Sequence, residues 1–249
     1  MTVTTVSALM RLVGRDPGRP RLTWYGDDGE RVELSGAVLE NWVNKTTNLL
    51  VEELDVEPGA RVLLDLAPHW RTVVWALSVW RAGAGVALAG TPDVGGRPDV
   101  VVTDQPGHHD KAAHVVVVTP AALARRYPGD LPAGAIDAAA AIMTYADQLG
   151  WEPIVDPTAT ALESQQTLVR HAELGAWAEG RAGAAPGRPR LLVTSGGSRV
   201  SDVIDLLRSA WDAMTQDGSV VVVPAAADQA ALERLAQTER VTIMGHQLE

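Results

Sequence analysis

The sequence predicts an α/β protein: mainly parallel sheets flanked by helices. Three observations carry this. Several short runs are almost continuously apolar, among them Arg61–Leu66, Val115–Val118 and Gly218–Val223, as strands buried on both faces are. Segments with apolar residues at helical spacing alternate with these runs along the chain. The most apolar stretch, Thr72 to Ala89, carries Arg81 inside it and Gly83 and Gly85 near its end. A buried helix followed by a buried strand explains it better than a membrane span, which needs about 20 unbroken apolar residues.

The elements follow in order. Val6–Val13 reads as a short amphipathic helix stopped by Gly14 and Pro17. Arg21–Tyr25 and Arg31–Leu34 read as strands, with Asp27-Asp28-Gly29 supplying turn residues that tolerate positive φ. Ser35 can cap a helix running to about Leu54, with Leu34 and Leu39 placed as a hydrophobic staple. Arg61–Leu66 is a strand, and Pro68 opens a helix over Trp70–Ala82. Gly85–Ala89, Asp99–Thr103 and His114–Thr119 are strands. Pro120 suits the first turn of a short helix to Arg126. Helix is expected over Gly134–Leu149 and over much of Thr158–Glu179. Arg181–Arg190 (RAGAAPGRPR) reads as a flexible link. A strand at Leu191–Thr194, a tight loop at Ser195–Ser198 and a helix over Asp202–Met214 come next. The strand Gly218–Val223, a helix capped by Asp228 and a last strand at Val241–Met244 complete the series.

Composition narrows the function classes. The 249 residues allow one large domain or two small ones. There are no cysteines, which excludes disulfides, thiolate metal sites and a cysteine nucleophile. A net charge of −10 repels phosphate backbones, so no nucleic-acid partner is expected. Met1–Arg11 lacks the basic start and apolar core of a signal peptide. The chain is read as soluble and cytoplasmic, with no membrane partner.

Particular stretches then carry a resemblance. They are Arg15–Tyr25 (RDPGRPRLTWY), Gly29–Leu54, Val56–Leu66 (VEPGARVLLDL), Val73–Leu88 (VVWALSVWRAGAGVAL) and Asp99–Asp104 (DVVVTD). Near the C-terminus, Gly218–Pro224 (GSVVVVP) and Leu232–Ile243 (LERLAQTERVTI) continue the series. In this order they resemble the N-terminal part of the AMP-forming acyl/aryl-CoA synthetases, the adenylate-forming superfamily. The middle, roughly residues 106–190, matches loosely. The resemblance implies a single α/β domain over 1–249 without a C-terminal lid domain. It also implies ATP or AMP as cofactor.

The resemblance places the family's phosphate loop at Thr194, Ser195, Gly196, Gly197, Ser198 and Arg199, the candidate nucleotide-binding residues. Backbone N–H groups and hydroxyls of such a loop cradle phosphates. The loop here is shortened and lacks the family's Pro-Lys-Gly ending. Arg199 can take the lysine's place, since guanidinium binds phosphate well. The alternative is a plain strand-to-helix turn with Ser198 or Ser201 as cap. The family's adenine, magnesium and ribose motifs, and its catalytic lysine, are absent from these 249 residues. No complete adenylation site follows, and no catalytic residue is assigned.

Two functional readings stay open. One is a non-catalytic binding or regulatory relative with a vestigial nucleotide or acyl pocket, acting through a protein partner or as a homodimer. The other is half of a split adenylating enzyme completed by a partner chain.

Other residues invite chemistry. His108, His109, Asp110 and His114 are metal-capable, but they follow Pro106-Gly107 and read better as a solvated loop. Asp65, Pro68 and His69 lie at a strand's C-terminal end, where α/β sheets bind ligands. His69 lines a pocket there, or it caps or packs at the start of the next helix, and the second reading is favoured. Trp70, Trp75 and Trp80 read as core. Ser195 lacks a G-x-S-x-G setting, and no dinucleotide fingerprint occurs.

Overall fold

The structure, a computed structural model, describes residues 3–26, 29–89, 97–109, 114–183, 187–194, 199–223 and 228–244. In chain order the elements begin α1 (Val6–Val13), β1 (Pro20–Tyr25), β2 (Arg31–Ser35), α2 (Gly36–Glu52), β3 (Arg61–Asp65), α3 (Trp70–Arg81) and β4 (Gly85–Leu88). Then come β5 (Val100–Thr103), β6 (Val115–Val117), β7 (Ile136–Asp137), α4 (Ala138–Ala141), β8 (Thr160–Glu163), β9 (Leu168–Arg170) and α5 (Leu174–Ala178). The series closes with β10 (Arg190–Thr194), α6 (Arg199–Thr215), β11 (Ser219–Val223), α7 (Gln229–Thr238) and β12 (Ile243–Met244).

The chain divides into two compact units, one of Met1–Glu40, Pro68–Val73 and Gly175–Glu249, the other of Asn41–Ala67 and Val74–Leu174. The first unit holds a five-stranded sheet in the order β12-β10-β11-β1-β2, parallel except for the β1–β2 hairpin. Leu192, Val221 and Val223 of this sheet pack under Leu232, Leu235 and Ala236 of α7. Ser35 caps α2 as expected, its Oγ accepting from the Val38 N–H at 3.4 Å. Leu34 and Leu39 are both buried. Of the proposed turn, Asp27 and Asp28 lie outside the described residues, and Gly29 has φ +83°. Of the stretch 181–190, residues 184–186 also lie outside them. Arg181 pairs with Asp205, and the Ala182 N–H donates to Asp212 Oδ2 at 2.7 Å.

The second unit holds a seven-stranded sheet, β7-β6-β5-β3-β4-β8-β9, parallel except for the β8–β9 hairpin. Its strand pairs are apolar on both faces, with Val62, Val86, Val100, Val102 and Val116 fully buried. The mainly parallel α/β architecture is the one the sequence predicts. Among the described residues no helix is long and apolar enough to cross a membrane.

Three expected helices are not there. Residues 120–126 form turns instead, and Leu123 is 92% exposed. A short helix with no buried apolar face does not repay its nucleation. In 134–149 only α4 and a following 3₁₀ turn are helical. Beyond them, α2 side chains take the backbone. Lys45 Nζ donates to Tyr145 O at 2.6 Å, and Asn44 Nδ2 to Asp147 O at 2.7 Å. Asn48 Nδ2 donates to Ala146 O at 3.0 Å and Gln148 O at 2.8 Å. Those carbonyls are thereby held in an irregular run. Replacing Asn48 by alanine orphans the carbonyls of Ala146 and Gln148. We expect a loss of about 1–3 kcal/mol and faster amide exchange confined to 145–150.

The third region, 158–179, forms β8 and β9 before α5. Ala161 and Leu162 are fully buried beside β4, and Trp80 Nε1 donates to Ala161 O at 2.6 Å. Pairing at the open edge of a hydrophobic sheet overrides a weak helical preference.

Candidate functional site

In the first unit, β10, β11 and β1 are parallel, so Thr194, Val223 and Tyr25 end at the same edge of the sheet. This is the C-terminal edge, where open α/β sheets bind ligands. Of the candidate loop, Ser195, Gly196, Gly197 and Ser198 lie outside the described residues. Thr194 is the last residue of β10, and Arg199 is the first of the 17-residue α6. Both are partly exposed. The first turns of a helix offer unpaired N–H groups and a positive dipole end to an anion. Asp202, in the same first turn, places a negative charge there and opposes part of that attraction.

A polar cluster missed in the sequence lies on the α7 side of this sheet. Glu239, just past α7, is 8% exposed. It accepts from the Tyr25 hydroxyl at 2.5 Å and from Arg31 Nε at 2.9 Å, and it pairs with Arg190. Arg190 also donates to Thr23 Oγ1 at 3.1 Å and to Ser219 Oγ at 3.0 Å. Burial alone pushes the Glu239 carboxyl up, but the hydrogen bonds from Arg31, Tyr25 and Arg190 outweigh it and pull it down to about 2. Burial and the Glu239 contact push the Tyr25 phenol up. This cluster joins α7 to β1, β2 and β10; its groups already hold one another.

His69 caps α3, as favoured, its Nδ1 accepting from the Arg71 N–H at 3.1 Å. Its ring lies 4.2 Å from Trp24 and 5.6 Å from Trp70, centroid to centroid. Burial, then the Arg71 charge, lowers its pKa to about 3, so it is neutral at pH 7. With Nδ1 accepting, the proton sits on Nε2, which is buried without a partner among the described residues. The Arg71 guanidinium stacks 4.2 Å from the Trp70 ring. Trp70, Trp75 and Trp80 are each 2% exposed or less, so all three are core.

In the second unit the His108 and His109 rings lie 6.4 Å apart, centroid to centroid, and His114 lies elsewhere. His109 Nε2 lies 2.9 Å from Asp65 Oδ2, an unforeseen pair. Asp110 lies outside the described residues. His114 lines an open hollow of about 550 Å³ with Asp55, Glu57, Arg97 and Asp99. Among the described residues no three metal-capable groups converge. The signal for the Asp65–His109 pair was the position of Asp65 at a strand end; the loop that brings His109 back to it has no local signature.

No family model matches this chain. A protein of Mycobacterium tuberculosis described as a "TIGR03089 family protein" is 34% identical over 252 residues, covering 97% of this chain and 98% of the relative. The chain belongs to the TIGR03089 family. Among solved structures, an acyl-CoA synthetase from Brucella canis superposes with a TM-score of 0.73 at 17% identity, over 95% of this chain and 46% of that one. The N-terminal subdomain of Klebsiella oxytoca NpsA, in complex with 3-hydroxybenzoyl-AMSN, gives 0.64 at 14% identity, over 98% of this chain and 59% of that one. At such identities the likeness shows the fold alone. This TIGR03089 family member has the α/β fold of the N-terminal part of adenylate-forming enzymes. It spans about half the length of the full synthetase.

Proposed function

We propose that this protein is a non-catalytic member of the adenylate-forming fold, binding a nucleotide or acyl ligand in a regulatory or carrier role. The observation that carries the reading is the placement of Thr194 and Arg199. Thr194 ends a parallel strand and Arg199 opens a long helix, at the C-terminal edge of the sheet, the kind of place where phosphates bind. The motifs that would supply the remaining charges of an adenylation transition state are missing from these residues, and several such charges are needed together. A cytoplasmic location belongs to the same reading.

Thermal unfolding with Mg-ATP, AMP and a non-hydrolysable acyl-adenylate tests it. A ligand at 100 times its dissociation constant adds about 2.7 kcal/mol, worth roughly 5–11 °C in a chain of this size. We expect such a shift with at least one ligand, its loss in Arg199→Ala, and no pyrophosphate exchange by the chain alone. No shift with any of the three sinks the reading.

One observation favours a second reading. The chain covers 46% of the Brucella synthetase, as one half of a split enzyme would. In that case pyrophosphate exchange appears only when a partner chain carrying the missing lysine and adenine motifs is mixed in.

A further inference from the structure

In the second unit, the connection leaving β3 runs through α3 to β4 on one side, and the connection leaving β5 runs to β6 on the other. β3 and β5 are neighbours in the sheet, so their C-terminal connections diverge. This is a topological switch point, the place where an open parallel sheet opens a crevice for a ligand.

The residues at that point are polar. Asp65 ends β3, Thr103 ends β5, and the two are register partners. Thr103 Oγ1 donates to Asp65 Oδ2 at 3.2 Å, and His109 Nε2 reaches the same oxygen at 2.9 Å. Asp65 is 7% exposed and Thr103 is fully buried. Thr119 lies two residues beyond Val117, the register partner of Thr103. Its hydroxyl is buried with no hydrogen-bond partner among the described residues, the residue being 6% exposed. His109 stands on the loop that leaves β5, so the chain's own imidazole covers the end of β3. Asp104 Oδ2, accepting from the Ala67 N–H at 3.2 Å, fastens the same loop.

A carboxylate at a switch point suits the hydroxyl pair of a sugar ring. The geometry points to Asp65, Thr103 and Thr119 as a site for a ligand with vicinal hydroxyls, a free sugar or the ribose of a nucleoside, with His109 as an internal occupant that the ligand displaces. The hydroxyls donate to Asp65 in place of His109 Nε2, and Thr119, beyond the end of β6, offers its oxygen to the far side of the ligand. A divalent cation fits less well, because three metal ligands do not converge here among the described residues. The site lies on a different sheet from the loop at 194–199 and does not rest on that loop's reading.

Calorimetric titration of the full chain with adenosine, D-ribose and 2′,3′-dideoxyadenosine tests this. Removing the competitor in His109→Ala tightens adenosine binding by about tenfold, the worth of one hydrogen bond to a charged group. His109→Gln serves as a second variant should the alanine form fail to fold. Asp65→Asn loses the binding, and Glu173→Gln, at an exposed surface pair, leaves it unchanged. Dideoxyadenosine binds at least about tenfold more weakly than adenosine to the unchanged chain and to the His109 variants. Ribose binding as well as adenosine assigns a sugar; adenosine alone assigns a nucleoside. The proposal is overturned if dideoxyadenosine binds as well as adenosine, if Asp65→Asn binds undiminished, or if the His109 variants bind nothing, which leaves His109–Asp65 as a structural clasp.

Discussion

Replacing Glu239 by glutamine is expected to lower stability by about 3 kcal/mol, because it leaves two guanidinium groups facing a neutral amide. Arg190 is the costlier of the two, with 14% of its side chain exposed against 40% for Arg31. At roughly 2–4 °C per kcal/mol, the melting temperature drops by about 6–12 °C. The exposed Arg170–Glu173 pair is the control. Its charges are 3.8 Å apart and more than half exposed, so Glu173→Gln should cost less than about 0.5 kcal/mol.

The same carboxylate sets an acid limit. Its pKa is held at about 2 in the folded chain, below the value near 4.3 of an unfolded glutamate. A depressed pKa gives stability that is complete above the unfolded value. That stability drains away as pH falls from about 4.5 through 2. Over that window the unchanged chain should lose about 3 kcal/mol that Glu239→Gln has already lost. Urea unfolding at pH 7, 4 and 2.5 checks it: the two curves should converge on acidification. A gap that stays constant with pH removes the electrostatic account of the cluster.

Gly218→Ala should be comparably severe, for a steric reason. A Cβ at this position would stand 2.2 Å from Pro189 O and 2.8 Å from Ala213 O, both backbone atoms. The Gly218 N–H already donates to Ala213 O at 2.7 Å, where α6 turns into β11. The fully buried Arg21 ties the same turn, pairing with Asp217 at 2.7 Å. Backbone cannot yield as a flexible side chain can. Relief must therefore separate β11 from the chain entering β10, at about 3 kcal/mol or more. Gly18→Ala meets nothing within 4 Å and should be near neutral. Thermal unfolding of the two variants decides it. A mild Gly218→Ala would mean that this turn is loosely held.

The parallel β-units were legible because their signals are local. Val115–Val118 and Ser219–Val223 are apolar enough to demand burial on both faces. Ser35 and Asp228 each cap the following helix with their own side chains. The place of His69 at the helix start, capping or packing, was legible as well, since it stands between Pro68 and an apolar helix; it does both. The Glu239 cluster was not. Its members come from residues 25, 31, 190 and 239, and no spacing rule links positions so far apart. For the same reason the sequence of β8 and β9 reads as helix: the Ala- and Leu-containing stretch is ambiguous until β4 offers it an edge.

What the sequence determined alone is the strand and helix series of the five-stranded sheet, the strands β3 to β6 of the other, and the absence of cysteine chemistry. Each follows from apolar periodicity or from a side chain acting within a few residues of itself. Only the tertiary structure decided that α2 holds residues 145–150 out of a helix, that Glu239 gathers two arginines and a tyrosine, and that His109 returns to Asp65. These depend on pairings about 40 to 210 residues apart, whose enthalpy exists only after the intervening chain has closed.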